Sequence, residues 1–194
     1  MIQIIKNFPS QFAFDPIIQN GEKLKLSPDI VVIGMGGSHL AADILAGYSD
    51  LHLHIHSSYG LPDFSDEMLA SSLFIVSSYS GNTEEAIDAL NEILKKNLSC
   101  AVMSTGGTLL SIAKEKGLPY IELPNTGNQP RTALGYAIRG LAKFSGREDI
   151  LSELLALSHM DASDYEVQGK GIAARIVNKI PIIYASDRNR SIAY

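Results

Sequence analysis

The chain has 194 residues, 45% of them hydrophobic and 19% charged, with a formal net charge of −5. That length is long for one domain and short for two, and the hydrophobic share is enough for a full core, which excludes a disordered chain. The acidic balance gives no reason to expect nucleic acid, no apolar run approaches the roughly 20 residues that cross a bilayer, and the lone Cys100 excludes a disulfide framework or a cysteine-based zinc site.

Residues 1–28 carry scattered apolar positions (Ile4, Ile5, Phe8, Phe12, Phe14, Ile17, Ile18) and read as a short helical extension on the domain edge. Met1 to Lys6 lacks the basic start, sustained apolar run and small-residue cleavage site of a signal peptide, so a cytoplasmic protein is expected. Ile30-Val31-Val32-Ile33-Gly34 is the first strand, Gly34-Met35-Gly36-Gly37-Ser38 its turn, and His39 to Ala46 the next helix. Leu51 to His56 is the second strand, with His52, His54 and His56 on one face. A packed or partly exposed strand face explains these histidines better than a metal, since no carboxylate or thiol lies close in sequence to complete a ligand set. Ser71 to Ser77 and Ser99 to Met103 are the third and fourth strands, each followed by a helix, and Leu118 to Leu123 is the fifth. Strands alternating with helices imply βαβ units and a parallel sheet covered on both faces. Cys100 reads as a small core residue.

After Pro124 the pattern turns helical, over residues 131–144, 150–159 and 165–178. Ile180 to Ala185 reads as a new strand with nothing of its own to pair with. The expected division is therefore an extension at 1–28, an α/β domain at 29–148, linking helices at 149–179, and the start of a second α/β domain at 180–194.

Chemistry concentrates after the third strand, at Ser78-Tyr79-Ser80-Gly81-Asn82-Thr83-Glu84-Glu85. A strand handing over to a helix through such a loop presents unpaired first-turn N–H groups, and the helix dipole favours an anion there. Helix capping alone would use one hydroxyl, and the loop holds three. In an open parallel sheet, ligands sit beyond the carboxyl ends of the strands where the strand order reverses. In the order 2-1-3-4-5 the turn at Gly37 and Ser38 and the loop from Ser78 to Thr83 share that crevice. The turn falls short of a dinucleotide fingerprint, because His39 stands where a third glycine is needed. A third loop, Ser104-Thr105-Gly106-Gly107-Thr108, either completes the wall or is a plain turn. Arg131, at the start of a helix after the fifth strand, is either solvated or within reach of an oxyanion.

These residues resemble the sugar isomerase (SIS) family. Gly36-Gly37-Ser38 matches its first motif, and the more specific Ser-x-Ser-Gly-x-Thr-x-Glu pattern matches at Ser78 to Glu85. Gly34 to Ser38 and Pro130-Arg131-Thr132-Ala133-Leu134-Gly135-Tyr136 are similar to the branch of bifunctional phosphoglucose/phosphomannose isomerases. The resemblance implies a three-layer αβα sandwich with a five-stranded parallel sheet in the flavodoxin-like order 2-1-3-4-5. It implies a phosphorylated sugar as partner, held by Gly37, Ser38, Ser78, Ser80 and Thr83, with Arg131 as the catalytic residue that stabilises enediolate charge. It also implies aldose–ketose isomerisation through a cis-enediolate, no metal and no cofactor, and a homodimer. The family's catalytic glutamate lies in an Asn-Glu-Asn segment of the second domain, which has no counterpart up to Tyr194. Glu84 and Glu85 are poor substitutes, because a helix N-terminus stabilises the ionised carboxylate and weakens the base. The expectation for these residues is sugar-phosphate binding without isomerisation by this chain alone. A non-catalytic phosphosugar-sensing module is the alternative, and a single-domain isomerase of another phosphosugar is a third reading.

Overall fold

The computed structural model describes residues 2–193, with Asp187 described by its backbone alone. Met1 and Tyr194, the ends of two expected segments, lie outside the described residues. Five parallel strands form one sheet: β1 (Asp29–Ile33), β2 (His52–His56), β3 (Leu73–Ser77), β4 (Cys100–Ser104) and β5 (Tyr120–Glu122), in the order β2-β1-β3-β4-β5. Ile33 pairs with both His56 and Val76, and Val76 with Val102. β3 and β4 are buried at every position, as uninterrupted apolar runs in the middle of a parallel sheet should be.

The helices are α1 (Ile2–Lys6), α2 (Leu40–Tyr48), α3 (Asp66–Ser71), α4 (Glu84–Lys95), α5 (Gly107–Lys116), α6 (Leu134–Phe144), α7 (Glu148–Ala156), α8 (Glu166–Ile176) and α9 (Arg190–Ala193). Successive strand residues feed opposite cores. Ile30, Val32, Ile75, Ala101 and Met103 pack with α2, α6 and α7 on one face. Val31, Ile33, Phe74, Val76 and Val102 pack with α3, α4 and α5 on the other. Each fully buried Leu, Ile or Phe contributes about 1.5–3 kcal/mol, so the two faces together hold the sheet. α6 comes close to the sheet because Gly140 has no side chain. A Cβ there would meet Met103 Sδ at 2.6 Å.

The N-terminal extension is tied in at two places. Gln19 exchanges backbone hydrogen bonds with Tyr120 (2.8 and 3.1 Å) and so covers part of the β5 edge. Gln11, only 2% exposed, donates to Thr132 O at 2.6 Å and accepts from Gly135 N at 3.0 Å. Arg139, buried beneath the extension, donates to Phe14 O and to Leu151 O. Burial lowers its pKa, with the Asp15 and Glu148 charges acting the other way.

Three local expectations change. α3 was not foreseen; it is short, with Ser65 capping it by accepting from Met68 N. The fifth strand shortens to three residues. Ile180 to Ala185 is not a strand: a strand exists through its ladder, and this segment pairs with nothing among the described residues. Ile180 and Tyr184 stay 91% and 90% exposed. The chain then returns to the body. Arg188 lies over the Tyr48 ring at 5.0 Å, and Tyr48 Oη donates to Asn189 Oδ1 at 2.5 Å.

Candidate functional site

The turn after β1 and the loop after β3 leave neighbouring strands at the carboxyl end of the sheet, where the strand order reverses. They are bound to each other. Ser77 Oγ donates to Ser38 O at 2.9 Å, and Tyr79 N donates to Ser38 Oγ at 3.2 Å. A Cβ on Gly34 would lie 2.8 Å from Ser77 O, so this approach requires glycine.

Within the β3 loop, Ser78 Oγ and Thr83 Oγ1 are 2.9 Å apart, and Gly81 N donates to Ser78 Oγ at 3.1 Å. Asn82 N donates to Ser80 Oγ at 3.3 Å. Thr83 occupies the N-cap position of α4 with extended backbone, yet its hydroxyl makes no capping bond. A hydroxyl has one proton and two lone pairs. Ser38 and Ser80 accept from backbone N–H groups, so each retains its proton for a ligand. If Ser78 donates to Thr83, then Thr83 retains its proton as well. Ser80 is exposed, Ser38 and Thr83 are half-buried, and Ser78 is 1% exposed and forms the floor.

Arg131 joins the same place through Gly37. A Cβ on Gly37 would meet Arg131 N at 2.8 Å and Arg131 Cγ at 3.0 Å, so the absent side chain admits the arginine turn over the β1 turn. That turn is the short helical piece Pro130–Ala133, and the Gln11 amide holds the carbonyl of Thr132 within it. Sequence reasoning missed Gln11; nothing local marks a glutamine that acts across the whole sheet. It also missed His39 and Asp43, whose Nδ1 and Oδ2 sit 2.5 Å apart at the start of α2. Their four-residue spacing was the available signal.

On the far side of the loop, Tyr59 Oη donates to Glu84 Oε2 at 3.3 Å, and Gly60 N donates to Asp88 Oδ2 at 2.8 Å. The segment after β2 is thereby fastened to the first turns of α4. The Glu85 charge, burial and the Glu84 charge raise the Tyr59 pKa. Both glutamates sit in the first turn of α4.

Other sequence candidates lie elsewhere. Cys100 begins β4, at the opposite end of the sheet, and burial pushes its thiol up to about 11. It is not a reactive thiolate near neutral pH. His52 and His54 flank Asp29 at 3.8 and 3.6 Å on the β2 edge. Among the described residues no group of three His, Cys, Asp or Glu side chains is placed to hold a metal, and no helix is long and apolar enough to cross a membrane.

No protein-family model matches the chain. Two curated proteins named bifunctional phosphoglucose/phosphomannose isomerase are similar to it. The one from Thermoplasma acidophilum is 33% identical over 98% of this chain and 59% of its own length. The one from Thermoplasma volcanium is 35% identical over 95% of this chain and 58% of its own. The chain thus spans somewhat under three fifths of the relatives it matches. Among solved structures, a tagatose-6-phosphate ketose/aldose isomerase from Escherichia coli superposes with a TM-score of 0.58 at 13% identity, over 98% of this chain and 60% of that one. That similarity shows the fold.

Proposed function

We propose, for a chain homologous to the bifunctional phosphoglucose/phosphomannose isomerases and built on the SIS fold, that the crevice between the β1 turn and the β3 loop binds the phosphate of a sugar 6-phosphate. The observation that carries this reading is the Ser38 bridge: its hydroxyl accepts from Tyr79 N and so joins two loops into one cradle. Ser38, Ser80 and Thr83 donate to the phosphate over the Ser78 floor. Gly37 lets the cradle close beside Arg131. The first-turn N–H groups of α4 supply the remaining partial positive charge.

The whole activity is a broader proposal. It is interconversion of glucose 6-phosphate, and of mannose 6-phosphate, with fructose 6-phosphate through a cis-enediolate. Phosphate binding far from the reacting carbons orients the open-chain sugar. Arg131 supplies a fixed positive charge where the enediolate oxygen develops. A base for the C2 proton is still needed. Glu84 and Glu85 lie in the first turn of α4, where Glu84 accepts from Tyr59 Oη, and neither is proposed as that base. The role proposed for these 194 residues is therefore sugar-phosphate binding, with the proton-transfer groups in the partner region of the full enzyme. Residues 180–194 are proposed as the opening of a second SIS domain, and the assembly as a cytoplasmic homodimer.

Titration calorimetry with glucose 6-phosphate, mannose 6-phosphate and fructose 6-phosphate tests the site against unphosphorylated glucose. Binding is expected only for the phosphorylated sugars. Ser80→Ala and Thr83→Ala should each weaken it about tenfold or more, since each removes a hydrogen bond to a charged group, worth about 1.5–3 kcal/mol. Unchanged affinity in both variants contradicts the reading.

A further inference from the structure

The loop after β4 holds the β3 loop from behind. Thr105 Oγ1 donates to Tyr79 O at 2.7 Å, and Thr105 N donates to the same oxygen at 3.1 Å. Gly81 O accepts from Leu109 N at 2.8 Å. In the other direction, Asn82 Oδ1 accepts from both Thr108 N and Thr108 Oγ1 at 3.0 Å. The two loops interpenetrate at paired glycines. A Cβ on Gly81 would lie 1.8 Å from Gly106 O, and one on Gly107 would lie 2.4 Å from Ser80 O, with φ of +73° and +69°.

These contacts dispose of carbonyls. A carbonyl oxygen aimed at a phosphate repels it, and in a trans peptide the C=O and the next N–H point in opposite directions. Tying Tyr79 O back to Thr105 therefore turns the Ser80 N–H away from the β4 loop. Ser80 O sits against Gly107, and the following Gly81 N–H runs the other way, to Ser78. Tying Gly81 O to Leu109 likewise turns the Asn82 N–H toward the Ser80 hydroxyl. The β4 loop thus collects oxygens on one side, and the N–H and O–H groups of the β3 loop fall on the other.

We propose that Thr105 and Asn82 are positioning residues for the sugar-phosphate site. They touch no ligand. They hold the β3 loop in the one arrangement that presents donors and hides acceptors. This rests on the sugar-phosphate reading above, and it assigns the cost of ordering that loop to folding instead of binding.

The test is calorimetric titration of fructose 6-phosphate into the full chain and its Thr105→Val, Thr105→Ser and Asn82→Ala variants, well below each thermal midpoint. Thr105→Val and Asn82→Ala should weaken binding about tenfold, while Thr105→Ser, which keeps the hydroxyl, stays within about threefold. A merely structural role lowers the midpoint and leaves the affinity of the folded protein unmoved. Wild-type affinity in Thr105→Val and Asn82→Ala overturns the proposal while leaving the site itself standing. Equal weakening by Thr105→Ser and Thr105→Val also overturns it, because the hydroxyl would then not be the agent. Should Thr105→Val fail to fold, Asn82→Ala decides by the same criterion. Failure of the unsubstituted chain to bind fructose 6-phosphate removes both this proposal and the reading it rests on.

Discussion

The loop after β3 and the stretch from Glu166 to Ser186 both lie at the surface, and they are held in opposite ways. Nearly every polar group of the loop has a protein partner. Ser38, Ser78, Thr83, Thr105 and Thr108 all bond across it or within it. The later stretch leaves its apolar residues largely exposed and is tied to the N-terminal helix by the Lys6–Glu166 ion pair at 3.3 Å. α8 buries none of its residues, and Val167, Ile180 and Tyr184 stand in solvent. Order in the loop comes from hydrogen bonds to a rigid sheet. The stretch buries little apolar surface of its own. The second domain or second subunit proposed above would supply the missing cover.

The largest expected effect separates the two regions. Phe74 is fully buried on β3 beneath α4 and α5, so Phe74→Ala should cost about 3–5 kcal/mol in urea unfolding. A loss below about 1 kcal/mol would mean that the sheet is not the stable body. A smaller effect is set by pH. Burial raises the Cys100 thiol from 9.0 to about 11. Once pH passes the unfolded value, the unfolded chain releases a proton that the folded chain keeps. Stability should therefore be intact below about pH 9 and fall by roughly 2–3 kcal/mol in total as pH rises towards 11. Cys100→Ala should flatten that part of the profile, and an unchanged slope would contradict the assignment. The smallest effect belongs to the late stretch. Ile182→Ser should change the unfolding free energy of this chain by no more than about 0.5 kcal/mol. A loss above 2 kcal/mol would show that Ile182 is covered and that the contrast is wrong.

How much of this was legible in the sequence follows the range of the forces involved. β1, β3 and β4 are short apolar runs between turn-formers, and their alternation with helices is a local signal of a parallel sheet. The serines and threonine after β3 stand together in the chain, so their gathering into one hydrogen-bonded loop could be read there too. Gln11 could not be read, because its two hydrogen bonds reach the turn beside Arg131 from the other end of the domain. The role proposed for Thr105 is half legible: its loop reads as lying at the right end of the sheet, but the direction of one carbonyl decides between wall and buttress. Ile180 to Ala185 shows the converse. Its β propensity is local, and the ladder a strand needs is not.

Amide chemical shifts measured by NMR during titration with fructose 6-phosphate test the central claim most directly. The account predicts the largest shifts at Ser38, Ser80, Thr83 and Glu84, small ones at Tyr184, and none of comparable size with unphosphorylated fructose. Shifts that spare the loop from Ser78 to Glu84, or that are equal for the two sugars, would contradict it.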